Sequence, residues 1–265
     1  MIVHDWKYII KPRNWFSGKI TTTPIQSVIT HFVMKFDVTQ RDILENTCFS
    51  YYMHCREIVV QPQLIHQVLL REVKQPNKQE MWFNLNGRYI RFSIAEFCFI
   101  TGLRYDGVDG RSMLDEKSSS VKDTYFKDLK FVTSEDVKRV FISLDDALDL
   151  DVVKIGIIYL ITSYLFVTSY LKVVDQYIFA FVDNFATLET FPWIRYLFET
   201  TLSSLRKGLS KQTSHYRLTG FLVAFQVWLY ECILALEGNV ATRIYKKYPR
   251  IMKLDCAQTS FDGNV

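Results

Sequence analysis

The chain has 265 residues, of which 49% are hydrophobic, 15% aromatic and 23% charged. These fractions are typical of a globular protein and exclude wholesale disorder, a collagen-like chain and a low-complexity chain. The formal net charge is +4, but it is spread unevenly, because residues 106–151 carry 7 basic and 12 acidic side chains. An acidic middle between basic ends indicates a polar loop or face, and only secondarily a polyanion partner.

The cysteines are odd in number and include no C-x-x-C pair; they are Cys48, Cys55, Cys98, Cys232 and Cys256. This pattern predicts free thiols in a reducing compartment rather than a disulfide framework. Charged side chains within residues 1–20 interrupt the apolar stretch that a secretory signal needs. We therefore expect an intracellular protein that is not secreted and binds no cofactor or metal.

Three helices are predicted in the first 70 residues. Thr23 and Pro24 predict a helix start, because Thr can cap a helix and Pro suits its first position. The apolar face of this helix consists of Ile25, Val28, Ile29, Phe32 and Phe36. A second helix is predicted from Thr39, as its cap, with Asp42 in the first turn. Its apolar side consists of Ile43, Leu44, Cys48, Tyr51, Tyr52 and Cys55. A third helix is predicted to begin near Pro62.

A β-hairpin is predicted over residues 81–92. Asn86 and Gly87 separate two short apolar or aromatic runs, and a type I′ turn needs positive φ at both turn residues. Ser93 and Glu96 then form a capping box, which predicts that a helix follows the hairpin directly.

The helix after the hairpin is predicted to end at Gly102, a residue suited to the position after a helix. Glycines, serines and charges over residues 104–132 predict a loop, which is the candidate internal boundary. A further helix is predicted from Thr133 onward. Later helices are predicted over residues 193–205, 218–236 and 240–248.

Residues 155–171 form an uncharged run of 17 residues. A membrane span needs about 20 apolar residues, with a lower limit near 17. This run contains Thr162, Ser163, Thr168 and Ser169, whose hydroxyls can return to backbone carbonyls in a buried helix. We expect a core helix, and a single membrane span is the alternative.

A basic stretch near the end of the chain contains no acid and has tyrosines between its charges: Arg243, Tyr245, Lys246, Lys247 and Arg250. Basic residues with interleaved tyrosines can hold phosphates and stack on nucleobases. The alternative is a solvated helix end, whose bases oppose the negative pole of the helix dipole. Nucleic-acid contact is therefore one hypothesis for this stretch.

Motifs at three places carry a family resemblance. They are Trp82, Gly87, Arg91, Phe92, Ser93, Glu96, Phe97, Thr101, Gly102 and Leu103 around the hairpin, Pro192 and Trp193 further on, and Gln226, Trp228 and Glu231 near the end. The chain resembles a plant domain family of unknown function, related in style to the plant mobile domain. That family sits ahead of ubiquitin-like-protein (SUMO-type) cysteine protease domains in transposon-derived proteins. Ile194 departs from its pattern, where Gly is usual.

The resemblance implies a helical, non-catalytic module with no catalytic residue to transfer. The pair Asp255 and Cys256 is similar to the nucleophile region of the associated proteases, but Arg250 stands where that family has its oxyanion Gln. The alternative is therefore a remnant of such a protease protein that lacks the catalytic domain. Selective labelling of Cys256 by a thiol-alkylating probe would favour a working protease.

Taken together, the sequence predicts a mainly α, single multi-helix domain over residues 23–256 with one small β-hairpin. Residues 1–22 are an N-terminal extension and residues 257–265 a tail. The expected function is a structural or protein-interaction module of a transposon-derived plant protein, in the nucleus rather than the cytoplasm. The expected partner is a protein, and no small-molecule substrate is expected.

Overall fold

A computed structural model describes residues 6–22, 28–56, 58–115, 117–167, 169, 171–209, 214–233, 236, 241–243 and 248–256. The chain divides into two compact units. Unit 1 consists of residues 1–24, 58–101 and 197–265, and unit 2 consists of residues 25–57 and 102–196. Each unit is described by itself below.

Helices dominate the described residues, which confirms the mainly α prediction. The α-helices are α1 (Val28–Lys35), α2 (Val38–Glu45), α3 (Pro62–Leu70), α4 (Ile94–Thr101), α5 (Arg111–Leu114), α6 (Ser120–Tyr125), α7 (Ser134–Ser143), α8 (Asp149–Leu160), α9 (Gln176–Asp183), α10 (Phe185–Thr190), α11 (Trp193–Gly208) and α12 (Leu222–Cys232). The strands are β1 (Lys19–Thr21), β2 (Met81–Leu85), β3 (Arg88–Phe92), β4 (His215–Arg217), β5 (Ala241–Arg243) and β6 (Leu254–Cys256).

The predicted hairpin is confirmed in unit 1, where β2 and β3 pair antiparallel. Asn86 has φ 51° and Gly87 φ 86°, so both turn residues have the positive φ that the type I′ turn requires. The Glu96 carboxylate accepts a hydrogen bond from the Ser93 backbone N–H at 2.8 Å, and α4 begins directly after Ser93. Gly102, with φ 69°, follows the end of α4 as predicted.

The core of unit 1 is built around α12, whose residues 222–230 are all buried. A helix that is apolar all round must be covered on every side, and α12 packs against α4 and β3. The aromatic cluster at this contact consists of Phe83, Phe92, Phe97, Phe225 and Trp228. The predicted start near residue 218 is wrong, because the chain turns at Gly220 (φ 89°) before α12 begins.

The N-terminal extension is part of unit 1 through β1, which pairs parallel with β4. His66 on α3 is fully buried beneath this pair, with Nδ1 2.8 Å from the Tyr216 hydroxyl and Nε2 2.8 Å from the Phe16 carbonyl. Since a carbonyl can only accept, Nε2 carries the proton and Nδ1 accepts from Tyr216. A Cβ at Gly18 would lie 2.4 Å from this ring, so glycine is needed for the close approach.

The core of unit 2 is built around α8, whose residues 155–160 are all buried. Gly156 lets two aromatic rings approach the helix, since a Cβ there would lie 2.6 Å from Phe36 and 3.1 Å from Phe141. A π-helical segment, Ile161–Leu165, follows, and the Thr162 hydroxyl donates to the Ile158 carbonyl at 2.8 Å. Residues 155–165 of the uncharged run are therefore a core element, as predicted, whereas Leu171 at the end of the run is 64% exposed. In the parts that the structure describes, no helix is long and apolar enough to cross a membrane.

Two predictions for residues 39–55 are wrong. Asp37, not Thr39, caps α2, because its carboxylate accepts from the Gln40 N–H at 2.8 Å while the Gln40 side chain accepts from the Asp37 N–H. The helix ends at Glu45, and a separate 3₁₀ segment covers residues 50–54. The predicted start of α1 and its Ile25 lie outside the described residues.

Other differences lie further along the chain. Residues 104–132 are not all loop, because α5 and α6 form there and the Ser119 hydroxyl caps α6. The helix predicted over residues 240–248 is wrong at 241–243, which form β5 and pair with β6. The sequence prediction also omitted α9, α10 and the β1–β4 pair.

Candidate functional site

Gln226, a residue of the family resemblance, lies at the centre of unit 1 with 0% exposure. Its amide nitrogen donates to the Val59 carbonyl at 2.9 Å and to the Tyr230 hydroxyl at 2.7 Å. Its amide oxygen accepts from the Gln61 N–H at 2.6 Å. Because these bonds join α12 to the segment before α3, Gln226 acts here as a structural cross-link.

The charged residues of the resemblance form ion pairs within unit 1. Arg91 lies 2.9 Å from the Glu96 carboxylate, and hydrogen bonds from Ser93 and Arg91 lower the pKa of Glu96 against the opposing effect of its partial burial. Glu231 accepts a hydrogen bond from the Arg250 guanidinium. These side chains hold the hairpin, α4 and the end of α12 in place.

The Pro192-Trp193 motif starts α11 and lies in unit 2. Trp193 is fully buried, and its indole N–H donates to the Leu188 carbonyl at 2.9 Å. The ring contacts Phe49, Phe181 and Phe191 at centroid distances of 4.7–5.5 Å. The motif is thus part of the packed interior.

Among the cysteine side chains that the structure describes, Cys55 is buried, and Cys48, Cys98 and Cys232 are half-buried. Burial raises the pKa of Cys55 to about 12 and that of Cys232 to about 11. The pKa of Cys48 is raised by burial and by the neighbouring Glu189. A thiol that stays protonated is a poor nucleophile and a poor metal ligand. Among the described residues, no three His, Cys, Asp or Glu side chains are grouped to hold a metal. The Cys256 side chain lies outside the described set.

The basic stretch is described only in part. Arg250 pairs with Glu231 and its guanidinium lies 5.7 Å from the Phe99 ring, so this cation has a role within the fold. The side chains of Arg243, Tyr245, Lys246 and Lys247 lie outside the described residues. Arg206, on α11, donates to the backbone carbonyls of Lys78 and Glu80. Two cations near this end of the chain are therefore used in packing.

The Arg111 side chain packs against three aromatic rings within unit 2. Its guanidinium lies 3.9 Å from the Tyr196 ring centroid and 6.0 Å from those of Tyr177 and Phe191. The Asp109 carboxylate accepts two hydrogen bonds from it, at 2.8 and 2.6 Å, which lower the pKa of Asp109. Because its charge is paired with Asp109 and its guanidinium lies against aromatic rings, Arg111 holds the segment around α5 against the rest of unit 2.

A pocket in unit 2 has a volume of about 30 Å³. Its lining includes Thr162, Phe166, Asp175, Tyr177 and Tyr196. This volume has room for about two or three water molecules rather than for a small-molecule substrate.

Exposed apolar side chains set unit 2 apart. In the part of the chain that the structure describes, 13 of the 17 large apolar side chains that are exposed belong to unit 2. Met34 is 79% exposed, Val38 75% and Leu148 74%. Single exposed apolar residues are ordinary, whereas a group of them indicates an interaction site.

Two polar cross-links join the elements of unit 2 that carry several of these residues. Lys35 at the end of α1 donates to the Ile142 carbonyl of α7 at 3.3 Å and to Asp145 at 2.8 Å. Gln40 on α2 donates to Asp149 at the start of α8 at 2.9 Å. The residues beside these links form what we call the apolar–acidic surface: Val33, Met34, Val38, Ile142 and Leu148, with Asp37, Asp145 and Asp146.

Sequence reasoning missed this surface. The apolar face predicted for α1 is buried where it is described, at Val28, Ile29 and Phe32. Val33 and Met34 lie off that face and are nevertheless apolar. An apolar residue outside the periodic stripe is the signal that could have located the surface.

These features define a class: a mainly helical, aromatic-rich protein whose conspicuous polar residues serve packing and whose exposed apolar residues are concentrated in one unit. The chain belongs to the family described as a domain of unknown function (DUF1985), whose model matches residues 69–204, just over half of the sequence. That range includes the hairpin, α4 and the Pro192-Trp193 motif, and excludes Gln226. No curated protein and no solved structure matches the chain.

Proposed function

We propose that this protein is an interaction module with no chemistry of its own, and that it binds a partner protein through the apolar–acidic surface. The concentration of exposed apolar side chains in unit 2 carries this proposal. The structural roles of Gln226, Trp193 and Arg91 support it, because residues that a catalytic reading would single out are engaged in contacts within the fold.

The setting of the module follows from the family resemblance. We propose a transposon-derived plant protein that acts in the nucleus, in which the module accompanies SUMO-type protease domains encoded with it or elsewhere. The match to the DUF1985 family supports the domain assignment, and the hairpin motif supports the finer relation. Localisation of the tagged full chain in plant cells tests the nuclear part, and exclusion from nuclei would contradict it.

Photo-crosslinking tests the binding surface. A crosslinking amino acid is placed at Met34 of the full chain and, as the matched control, at Val108, which is 75% exposed and also in unit 2. We expect adducts of defined mass from position 34 and none from position 108. The substitution Val38→Asp should reduce the yield at least tenfold, while Val108→Asp should not. Equal adducts from both positions, or insensitivity to Val38→Asp, would contradict the proposal.

Nucleic-acid binding by unit 1 is the second candidate, favoured by charge. Unit 1 contains 18 basic and 9 acidic residues, a net charge of +9, whereas unit 2 contains 14 and 19, a net of −5. Double-stranded DNA should then bind with an affinity that falls steeply between 50 and 200 mM salt, as counterion release requires. Replacing both Lys246 and Lys247 by Glu should reduce the affinity for DNA. An affinity that does not change with salt would rule this candidate out.

A further inference from the structure

The chemistry around the apolar–acidic surface identifies the kind of partner it fits. We infer that it binds a basic amphipathic helix of another protein, with apolar side chains on one face and Lys or Arg beside them. This inference rests on the proposed function and specifies the partner. Helix-in-groove binding of this kind takes its affinity from apolar anchors and its selectivity from the charges at the rim.

The apolar part is assembled from four places in the chain. Val33 and Met34 lie in the last turn of α1, Val38 begins α2, Ile142 lies near the end of α7, and Leu148 directly precedes α8. Their backbones are fixed by the Lys35 and Gln40 cross-links described above. Apolar side chains on a fixed backbone offer a partner anchor points with little conformational entropy left to lose.

The charge at this surface is negative. Asp37 and Asp145 are exposed, and Asp146 is exposed with no ion pair to any residue in the described ranges. Two cations of α1 and α2 are already engaged: Lys35 with Asp145, and Arg41 with the carbonyls of Val33 and Phe36. On α7, Arg139 pairs with Asp136, and Lys138 lies one turn before Ile142.

The net charge of unit 2 extends this preference beyond the surface itself. At −5, the unit repels an acidic helix, nucleic acid and an anionic membrane, and it attracts a basic segment from a distance. A second copy of the chain, binding through its basic unit 1, would satisfy the same charge rule. The experiment below separates that occupant from another protein.

Two labelled helical peptides test the inference. Each has 18 residues with an identical leucine face, and the polar positions are Lys in one peptide and Glu in the other. Fluorescence anisotropy with the full chain should show that the Lys peptide binds at least tenfold more tightly than the Glu peptide at 50 mM salt, with the difference shrinking as salt rises. Val38→Asp and Asp146→Lys should each weaken the Lys peptide severalfold. The matched controls, Val108→Asp and the exposed Asp128→Lys, should leave its affinity unchanged.

Val38→Asp is compatible with the fold, because an acid in the first turn of α2 favours the helix dipole. Equal binding of the two peptides, lost with Val38→Asp, would overturn the basic-partner inference and leave the proposed function standing. Sedimentation that shows self-association abolished by Val38→Asp would overturn it in favour of a second copy. Failure of both peptides, with a monomeric chain and no adducts from position 34, would overturn the inference and the proposed function together.

Discussion

Unit 1 and unit 2 differ most in how many apolar side chains they expose. Among the described residues, unit 1 buries six of the ten buried polar side chains, including Gln61, His66 and Gln226, and exposes four of the 17 large apolar ones. Unit 2 buries the other four polar side chains but exposes the other 13 apolar ones. The units also differ in charge sign, with +9 against −5.

The contrast indicates a division of roles. Buried polar side chains that are hydrogen-bonded, such as Gln226 and His66, favour one geometry, because other arrangements leave them without partners. Exposed apolar groups add nothing to the stability of an isolated chain and gain free energy only when something covers them. Under our proposal, unit 1 is specialised for internal structure, and unit 2 for contact with a partner.

The substitution with the largest expected effect tests whether the core of unit 2 is tightly packed. Trp193→Ala should lower the free energy of unfolding by about 4 kcal/mol, through the cavity and the unpaired Leu188 carbonyl. Chemical denaturation measures this, and Phe99→Ala, at an exposed position, is the control with an expected change below about 1 kcal/mol. If Trp193→Ala lowered the free energy of unfolding as little as the control does, unit 2 would be loosely packed. That result would contradict the comparison of the two units.

The next substitution tests the buried polar centre of unit 1. Gln226→Leu keeps most of the volume but leaves the Gln61 N–H and the Val59 carbonyl without their partner. We expect a loss of about 3 kcal/mol, since each orphaned buried group costs about 1–3 kcal/mol. Thermal unfolding checks it, and a variant as stable as the parent would show that the buried polar groups are dispensable.

A pH experiment tests a buried acid of unit 1. Burial raises the pKa of Glu72 to about 7, against the opposing effect of Arg206. The stability that the protonated form provides is complete below pH about 4.5 and is lost as pH rises through about 7, because the unfolded state ionises first. Glu72→Gln should therefore stabilise the protein by about 2 kcal/mol at pH 8, allowing for partial exposure, and by nothing at pH 4. Glu199→Gln, at an exposed acid, should show no such pH dependence, and a constant gain for Glu72→Gln would contradict this account.

The smallest expected effect concerns the support of the apolar–acidic surface. Asp37→Ala removes the cap of α2 and should cost about 1 kcal/mol. Hydrogen exchange should speed up in the first turn of α2, next to Val38. Asp37→Asn, which can still accept from the Gln40 N–H, should restore most of the protection. Equal exchange in Asp37→Ala and the parent would show that the cap does not hold this surface.

Local chemistry predicted much of the fold. Asn86-Gly87, Ser93 with Glu96, and Thr133 each determine a turn or a cap through bonds within a few residues, and the structure has each of them. The β1–β4 pair could not be predicted, because three-residue strands about 195 residues apart leave no local periodicity. Two partners of Gln226, the backbone groups of Gln61 and Val59, were equally hidden, since they lie 165 and 167 residues away in the chain.

The candidate surface could not be predicted from the sequence, for a related reason. Val38 and Leu148 are ordinary apolar residues locally, and their exposure depends on how four helices pack. The charge pattern was visible, because the acidic stretch over residues 106–151 belongs to unit 2. What the sequence could not show was that apolar side chains stand among those acids.

The crosslinking yield from position 34 is the most direct test of the division of roles, when it is compared between two folded variants. Arg91→Ala removes an exposed ion pair of the family motif in unit 1, and Val38→Asp alters the surface in unit 2. The account predicts an unchanged yield for Arg91→Ala and at least a tenfold loss for Val38→Asp. The reverse result, with adducts lost in Arg91→Ala and retained in Val38→Asp, would place binding in unit 1 and contradict the account.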